Sequence, residues 1–249
     1  MKIVVCISHV PDTATRIKVG SDGKTIDPAG VTYIINPYDE YAVEEALKMK
    51  EKSLADEVIV ITLGSESSKE TIRKALAMGA DRGILLKDDS PRDSFGVAKA
   101  LAEEIKTQGA QLVFMGKQSV DYDNSIVGQM TAELLDFECI PVCVMLEING
   151  DKIIAEREIE GGREVVEASL PAIITCQKGL NEPRYASLKG IMAAKKKPID
   201  EKVAAAYTPM SEIISMHLPA GKQPGRIVGS DTAAVPELVR LLKEEAKVI

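Results

Sequence analysis

Leu112 to Val127 reads LVFMGKQSVDYDNSIV, and its two halves follow different patterns. The apolar run that ends at Met115 lacks the alternation of a strand with one wet face, so it reads as a strand covered on both sides. Gly116 then allows close backbone approach. In the polar run that follows, Asn124 or Ser125 can cap a helix whose first amides attract phosphate. A buried strand, a glycine and a polar loop opening a helix are the parts of a parallel α/β unit.

The same rhythm extends outward in both directions. Lys2 to Ile7 is apolar almost throughout, as a central strand should be. Asn36-Pro37 reads as a helix start with Asn as N-cap and Pro at the first helical position, and Ala42, Val43, Ala46 and Leu47 give that helix a buried stripe. Val58 to Leu63 is a strand, Ser67 to Met78 a helix closed by Gly79, Gly83 to Leu86 a strand, and Ser94 to Thr107 a helix. The expected fold class is therefore α/β, a doubly wound and mostly parallel sheet. Beyond Leu135 the pattern changes: Pro141 to Ile148 and Lys152 to Glu160 flank Asn149-Gly150, which predicts an antiparallel hairpin on the sheet edge. Pro183, Pro198 and a weak periodic signal mark 179–206 as an extended arm. Residues 207–249 read as a docking tail ending in a helix over Ala234 to Lys247, leaving 1–178 as the nucleotide-binding domain.

Bulk properties narrow the function. With 249 residues, 45% of them hydrophobic, the chain can bury a large single core. A net charge of −7 argues against nonspecific attraction to nucleic acid or anionic membrane surfaces. No apolar run reaches the length of a membrane span, and a cytoplasmic location is expected. Four cysteines without a CxxC pair suggest a reducing compartment and no metal centre.

Open α/β sheets bind ligands outside the carboxyl ends of their strands, where strand order reverses. Here that rim is Cys6 to His9, Asn36 to Asp39, Leu63-Gly64 and Gly116 to Val127. Asp121, Asp123 and Asn124 can hydrogen-bond a ribose or cap the following helix; an ordinary polar loop would look much the same. Neither a Walker A pattern nor GxGxxG is present, which excludes a P-loop enzyme and a standard dinucleotide dehydrogenase.

The most particular stretch is Leu180 to Pro198, LNEPRYASLKGIMAAKKKP. Upstream lie Ala155, Arg157, Glu160-Gly161-Gly162, Glu164, Val166 and Pro171 to Thr175, and further forward Ile35-Asn36-Pro37, Ala42 to Ala46, Ala75 to Gly83 and Gly116-Lys117-Gln118. In these residues, spread over roughly four-fifths of its length, the chain resembles the β subunits of electron transfer flavoproteins.

That resemblance implies an adenine-nucleotide-binding sheet of HUP-like type holding a structural AMP. Carried over by position, the AMP contacts are Cys6, Asn36, Pro37, Tyr38, Asp39, Leu63, Gly116, Lys117, Gln118, Ser119, Val120, Asp121, Tyr122, Asp123, Asn124, Ser125, Ile126 and Val127. The loop departs from relatives at Tyr122 and Ser125-Ile126-Val127. Redox chemistry in the family belongs to FAD, held mainly by an α subunit, with Tyr38 implied near the flavin ring and Thr13 beside it. Glu158 is implied to face a basic residue of that subunit, or else water. The arm resembles a recognition loop for acyl-CoA dehydrogenases, which implies Leu188 as the apolar anchor, or else a cap on the protein's own core, and Lys195, Lys196 and Lys197 as steering an acidic partner, or else a solvated face. The implied function is a non-catalytic subunit passing electrons from flavin dehydrogenases toward a membrane quinone oxidoreductase. The alternative within the family is an electron-bifurcating subunit with a second FAD and NADH. Outside it stands an ATP-binding stress-type module.

Overall fold

The computed structural model describes residues 1–222 and 224–249. One sheet of nine strands forms its centre, in the order β11-β5-β4-β1-β6-β10-β7-β8-β9. In chain order these are β1 (Lys2–Cys6), β4 (Glu57–Gly64), β5 (Arg82–Lys87), β6 (Leu112–Gly116), β7 (Glu138–Asn149), β8 (Lys152–Ile159), β9 (Gly162–Ser169), β10 (Ala172–Cys176) and β11 (Ile199–Val203). The seven strands from β11 to β7 run parallel, and β7, β8 and β9 form an antiparallel meander at the edge. A separate hairpin pairs β2 (His9–Pro11) with β3 (Tyr33–Ile35).

Helices cover both faces. α1 (Pro37–Glu51) and α2 (Lys69–Met78) bury Ala42, Val43, Ala46, Ile72 and Leu76 against Ile3, Val5, Phe114 and Ile174 on one side. On the other side α3 (Ser94–Gln108) and α4 (Val127–Leu135) bring Leu101, Ile105 and Ala132 against Val4, Ile59, Val113 and Ile173. Neighbouring residues of β1 thus face two different cores, which is why its sequence is apolar without alternation. The predicted doubly wound sheet is the fold observed.

Several boundaries differ in instructive ways. The helix expected from Ser67 begins at Lys69, because Glu66–Ser68 form a tighter 3-10 turn first. The hairpin turn is Gly150-Asp151, one residue later than the sequence suggested, since Asn149 still pairs with Lys152 and Gly150 takes the positive φ of 66°. In β7, Val142 has φ 57° and donates its N–H to Thr175 Oγ1 at 2.9 Å, where the register to β10 shifts. This bulge turns β7 from its parallel partner toward β8.

The expected arm is only partly free. Its far end, β11, pairs in parallel with β5 and closes the sheet on that edge. Within the arm, α5 (Leu188–Ala194) is capped by Ser187, whose Oγ accepts the Gly190 N–H at 3.0 Å. After β11 the described residues up to Asp231 form no helix or strand, and α6 (Val235–Glu244) contributes no buried residue.

Candidate nucleotide site at the strand switch

From β1 the chain builds β4 and β5 on one side, then returns to lay β6 on the other. Strand order therefore reverses between β1 and β6, and their carboxyl ends open the crevice expected of such a sheet. Asp39, in the first turn of α1, lies buried between those two strand ends. Its Oδ2 accepts the Ser8 N–H at 2.6 Å and its Oδ1 accepts the Gly116 N–H at 2.9 Å. One carboxylate thus joins the chain just past β1 to the end of β6. Gly116 is required by this closeness, because a Cβ there would lie 2.3 Å from Asp39 Oδ1 and 2.7 Å from Tyr38 Cβ.

Burial pushes Asp39 up to about 7, against the pull of the N–H groups of Ser8 and Gly116 and the Asn36 side chain. Cys6, also buried beside the Asp39 charge, has its thiol pushed far above the ordinary range and stays protonated. Burial lowers His9, whose ring stacks on Tyr33 at 4.5 Å and whose Nδ1 lies 2.7 Å from Thr71 Oγ1.

Asn36 does not cap α1 with its side chain, contrary to expectation. Fully buried, it donates from Nδ2 to the Gln118 carbonyl at 2.8 Å and accepts the Val120 N–H at Oδ1 at 3.1 Å. It therefore fixes the loop after β6. Gln118 Nε2 then reaches Asp123 Oδ1, and Ser125 Oγ donates to Gln118 Oε1 at 2.8 Å. The Lys117 ammonium lies 5.1 Å from the centre of the Tyr38 ring, a cation over an aromatic face.

Neither Asn124 nor Ser125 caps α4. Asn124 Nδ2 turns to Ser94 Oγ at 2.9 Å, and Ser125 has φ 54° where a capping residue needs an extended backbone. Ile126 takes the cap position without a side-chain bond, so the first amides of α4 have no side-chain partner. In that first turn Gln129 Oε1 is buried and lacks a hydrogen-bond partner. Gly128 packs against Thr175, whose Cγ2 lies 2.5 Å from where a Cβ would stand, and this places α4 on β10.

The carboxyl-end rim of the sheet therefore brings together Cys6, Asn36 to Asp39 and Gly116 to Val127, with Leu63 near the end of β4 beside them, while Cys6, Asn36 and Asp39 are themselves buried. Asp121, Tyr122, Asp123 and Asn124 stand exposed along its loop. Uncapped amides and an unpartnered buried acceptor suit a nucleotide held largely by main-chain groups.

Leu188 and the three lysines lie elsewhere, on the side of α1 and α2. Leu188 is 84% exposed, and Tyr185 and Met192 beside it in the arm are also exposed. Lys195 and Lys196 are exposed as expected. Lys197 is not: its ammonium donates to the carbonyls of Leu76 at 3.0 Å and Ala80 at 2.5 Å, closing the end of α2, and burial lowers its pKa. It belongs to the fold, not to a steering surface.

Sequence reasoning missed Arg184. Its guanidinium grips Glu44 and Glu51 of α1, with Nε to Glu44 Oε2 at 2.7 Å and Nη2 to Glu44 Oε1 at 2.9 Å. The signal was present in α1, where two glutamates seven residues apart share a helix face.

Residues 24–207 match the profile of the electron transfer flavoprotein domain. A relative from Syntrophomonas wolfei described as electron transfer flavoprotein subunit beta is 43% identical over 249 residues, covering 100% of this chain and 98% of its own. This chain belongs to the electron transfer flavoprotein β-subunit family. Other family members with the same description are 39% identical, one from Bacillus subtilis covering all of both chains and one from Homo sapiens covering 100% of this chain and 99% of its own. Membership makes the protein a subunit in electron transfer and associates it with flavin, nucleotide and a partner subunit. Among the described residues no helix is long and apolar enough to cross a membrane.

Proposed function

We propose that this chain is the non-catalytic subunit of a heterodimeric electron carrier, holding AMP as a structural ligand and covering the FAD of its α partner. One observation carries the reading: at the strand switch, Asn36 and Asp39 from a single helix turn order the ends of β1 and β6 and the loop between β6 and α4. The same arrangement leaves α4 amides without side-chain partners and Gln129 Oε1 without a donor. In this reading the α4 amides meet phosphate, and Asp121, Asp123 or Asn124 meets ribose. Bound FAD supplies the one- and two-electron chemistry. Tyr38, with Lys117 over its ring, and Thr13 limit water on the side of the flavin that this subunit covers.

Residues 1–178 then form the nucleotide-binding body, 179–206 the recognition arm and 207–249 the tail that docks on the α subunit. Leu188, with Lys195 and Lys196, meets acyl-CoA dehydrogenases or related flavin dehydrogenases, and electrons pass on toward a membrane quinone oxidoreductase from the cytoplasm. Quantifying FAD and AMP released on denaturing the complex with its α subunit tests this. One FAD and one AMP per heterodimer is the expected result; two FAD and no AMP would overturn it in favour of a bifurcating complex.

A further inference from the structure

The arm must hold Leu188 in place without using Leu188 to do so, because that side chain is 84% exposed and adds little to the arm's own packing. Nor can α5 hold itself, since seven residues are too few for a helix to persist by local hydrogen bonding. Its position must come from ties to the body. On the carboxyl-terminal side, Arg73 Nη1 donates to the carbonyls of Ala194 and Lys197, both at 2.6 Å, and Gly190 lies so close to α2 that a Cβ would sit 2.3 Å from the Ala77 carbonyl oxygen.

On the amino-terminal side the chain is irregular, and its polar ties run to α1. Asn181 Nδ2 donates to the Tyr41 carbonyl at 3.0 Å and to Glu45 Oε2 at 2.9 Å. Arg184 engages both oxygens of Glu44 and both of Glu51, and its backbone N–H also reaches Glu44 Oε2 at 3.1 Å. Glu44 is 5% exposed, so Arg184 supplies the charge that makes its burial tolerable. A planar guanidinium meets two carboxylates at fixed angles, which a lysine cannot reproduce. Arg184 stands four residues before Leu188, with its charged end turned toward α1 and its side chain 33% exposed.

We propose that Arg184, supported by Asn181, is a positioning residue for docking: it never touches the dehydrogenase but sets where Leu188 stands before the encounter. This inference rests on the docking role proposed for the arm. An arm fixed in advance loses less freedom on binding than one that must be ordered. Freeing it should therefore weaken association and leave the bound complex unchanged.

The test uses the intact heterodimer, reduced by medium-chain acyl-CoA dehydrogenase with octanoyl-CoA, with KM and kcat measured for the heterodimer as electron acceptor. Arg184→Gln should raise KM by about tenfold with kcat and flavin content unchanged, and Arg184→Lys should fall between. In the Arg184→Gln background, Leu188→Ala should cost less than it does alone, because a misplaced anchor has less to lose. If Leu188→Ala weakens docking but Arg184→Gln does not, or if the two effects are fully additive, the positioning role is overturned while the docking reading stands. No effect of Leu188→Ala overturns the docking reading, and this inference with it. Should Arg184→Gln fail to fold, Glu51→Gln removes one of the two carboxylates and leaves the Glu44 pair. It should raise KM in the same direction by a smaller factor, and an unchanged KM would overturn the proposal.

Discussion

At Asp39, burial and hydrogen bonding act in opposite directions on one carboxyl group, and burial wins by carrying it from 3.8 up to about 7. A carboxyl whose folded pKa lies above its unfolded value favours folding most below the unfolded pKa. That advantage is lost as pH rises toward the folded pKa. For Asp39 the window runs from about pH 4 to about pH 7, with an upper bound of about 4 kcal/mol. Asp39→Asn removes the titration and can accept only one of the two N–H groups. The variant should be less stable than the natural protein at pH 5, with the gap narrowing by pH 7.5 in urea unfolding; a gap independent of pH would contradict the assignment. Val142 gives a second test at this scale. A β-branched residue at φ 57° is held in the left-handed region against its own Cβ. Alanine keeps that Cβ and glycine does not, so Val142→Gly should be the more stable of the two variants by about 0.5–1 kcal/mol, the reverse of their usual order in a strand. Comparing their urea midpoints decides it. Asn36-Pro37 was legible as a helix start, but where the Asn36 side chain goes was not, because its partners lie more than 80 residues away.

Elements with strong periodicity were read correctly from sequence, and those held by distant partners were not. The stripe of Ala42, Val43, Ala46 and Leu47 identified α1 and its buried face. The same stripe gave no hint that Glu44 and Glu45 are also buried, since their burial depends on Arg184 and Asn181 far along the chain. β11 was missed for a different reason: IDEKV carries the charges that edge strands tolerate, and it lacks the apolar run of an inner strand. For α5 the dependence on a cap can be measured. Ser187→Ala removes the bond to Gly190 N–H and should cost about 1 kcal/mol locally. Amide exchange over 188–194 should then quicken about fivefold, while the global unfolding midpoint stays put. Slowed or unchanged exchange would mean that the ties to α2 alone hold the helix.

Over the whole molecule, no residue of the described chain after Ala194 belongs to the buried hydrophobic core. Met216 touches the body through a hydrogen bond to the Gly23 carbonyl, and α6 shows Val235, Leu238 and Val239 at 52%, 44% and 46% exposure. Removing residues 212–249 should leave the thermal midpoint within about 2 °C and abolish stable pairing with the α subunit, read by co-purification. Retained pairing would remove the docking role from the tail. The loss of periodicity after Gly179 set 179–206 apart in the sequence, but gave no sign that this stretch returns to the sheet as β11. β10 ends at Cys176 and β11 begins at Ile199, with β5, β4, β1 and β6 between them, so the arm is a strap fastened at both ends. A protease that cuts the strap near its exposed Tyr185 therefore releases nothing. The two fragments stay joined by the β11 ladder and by Arg73 and Lys197, migrating as one body until a denaturant separates them.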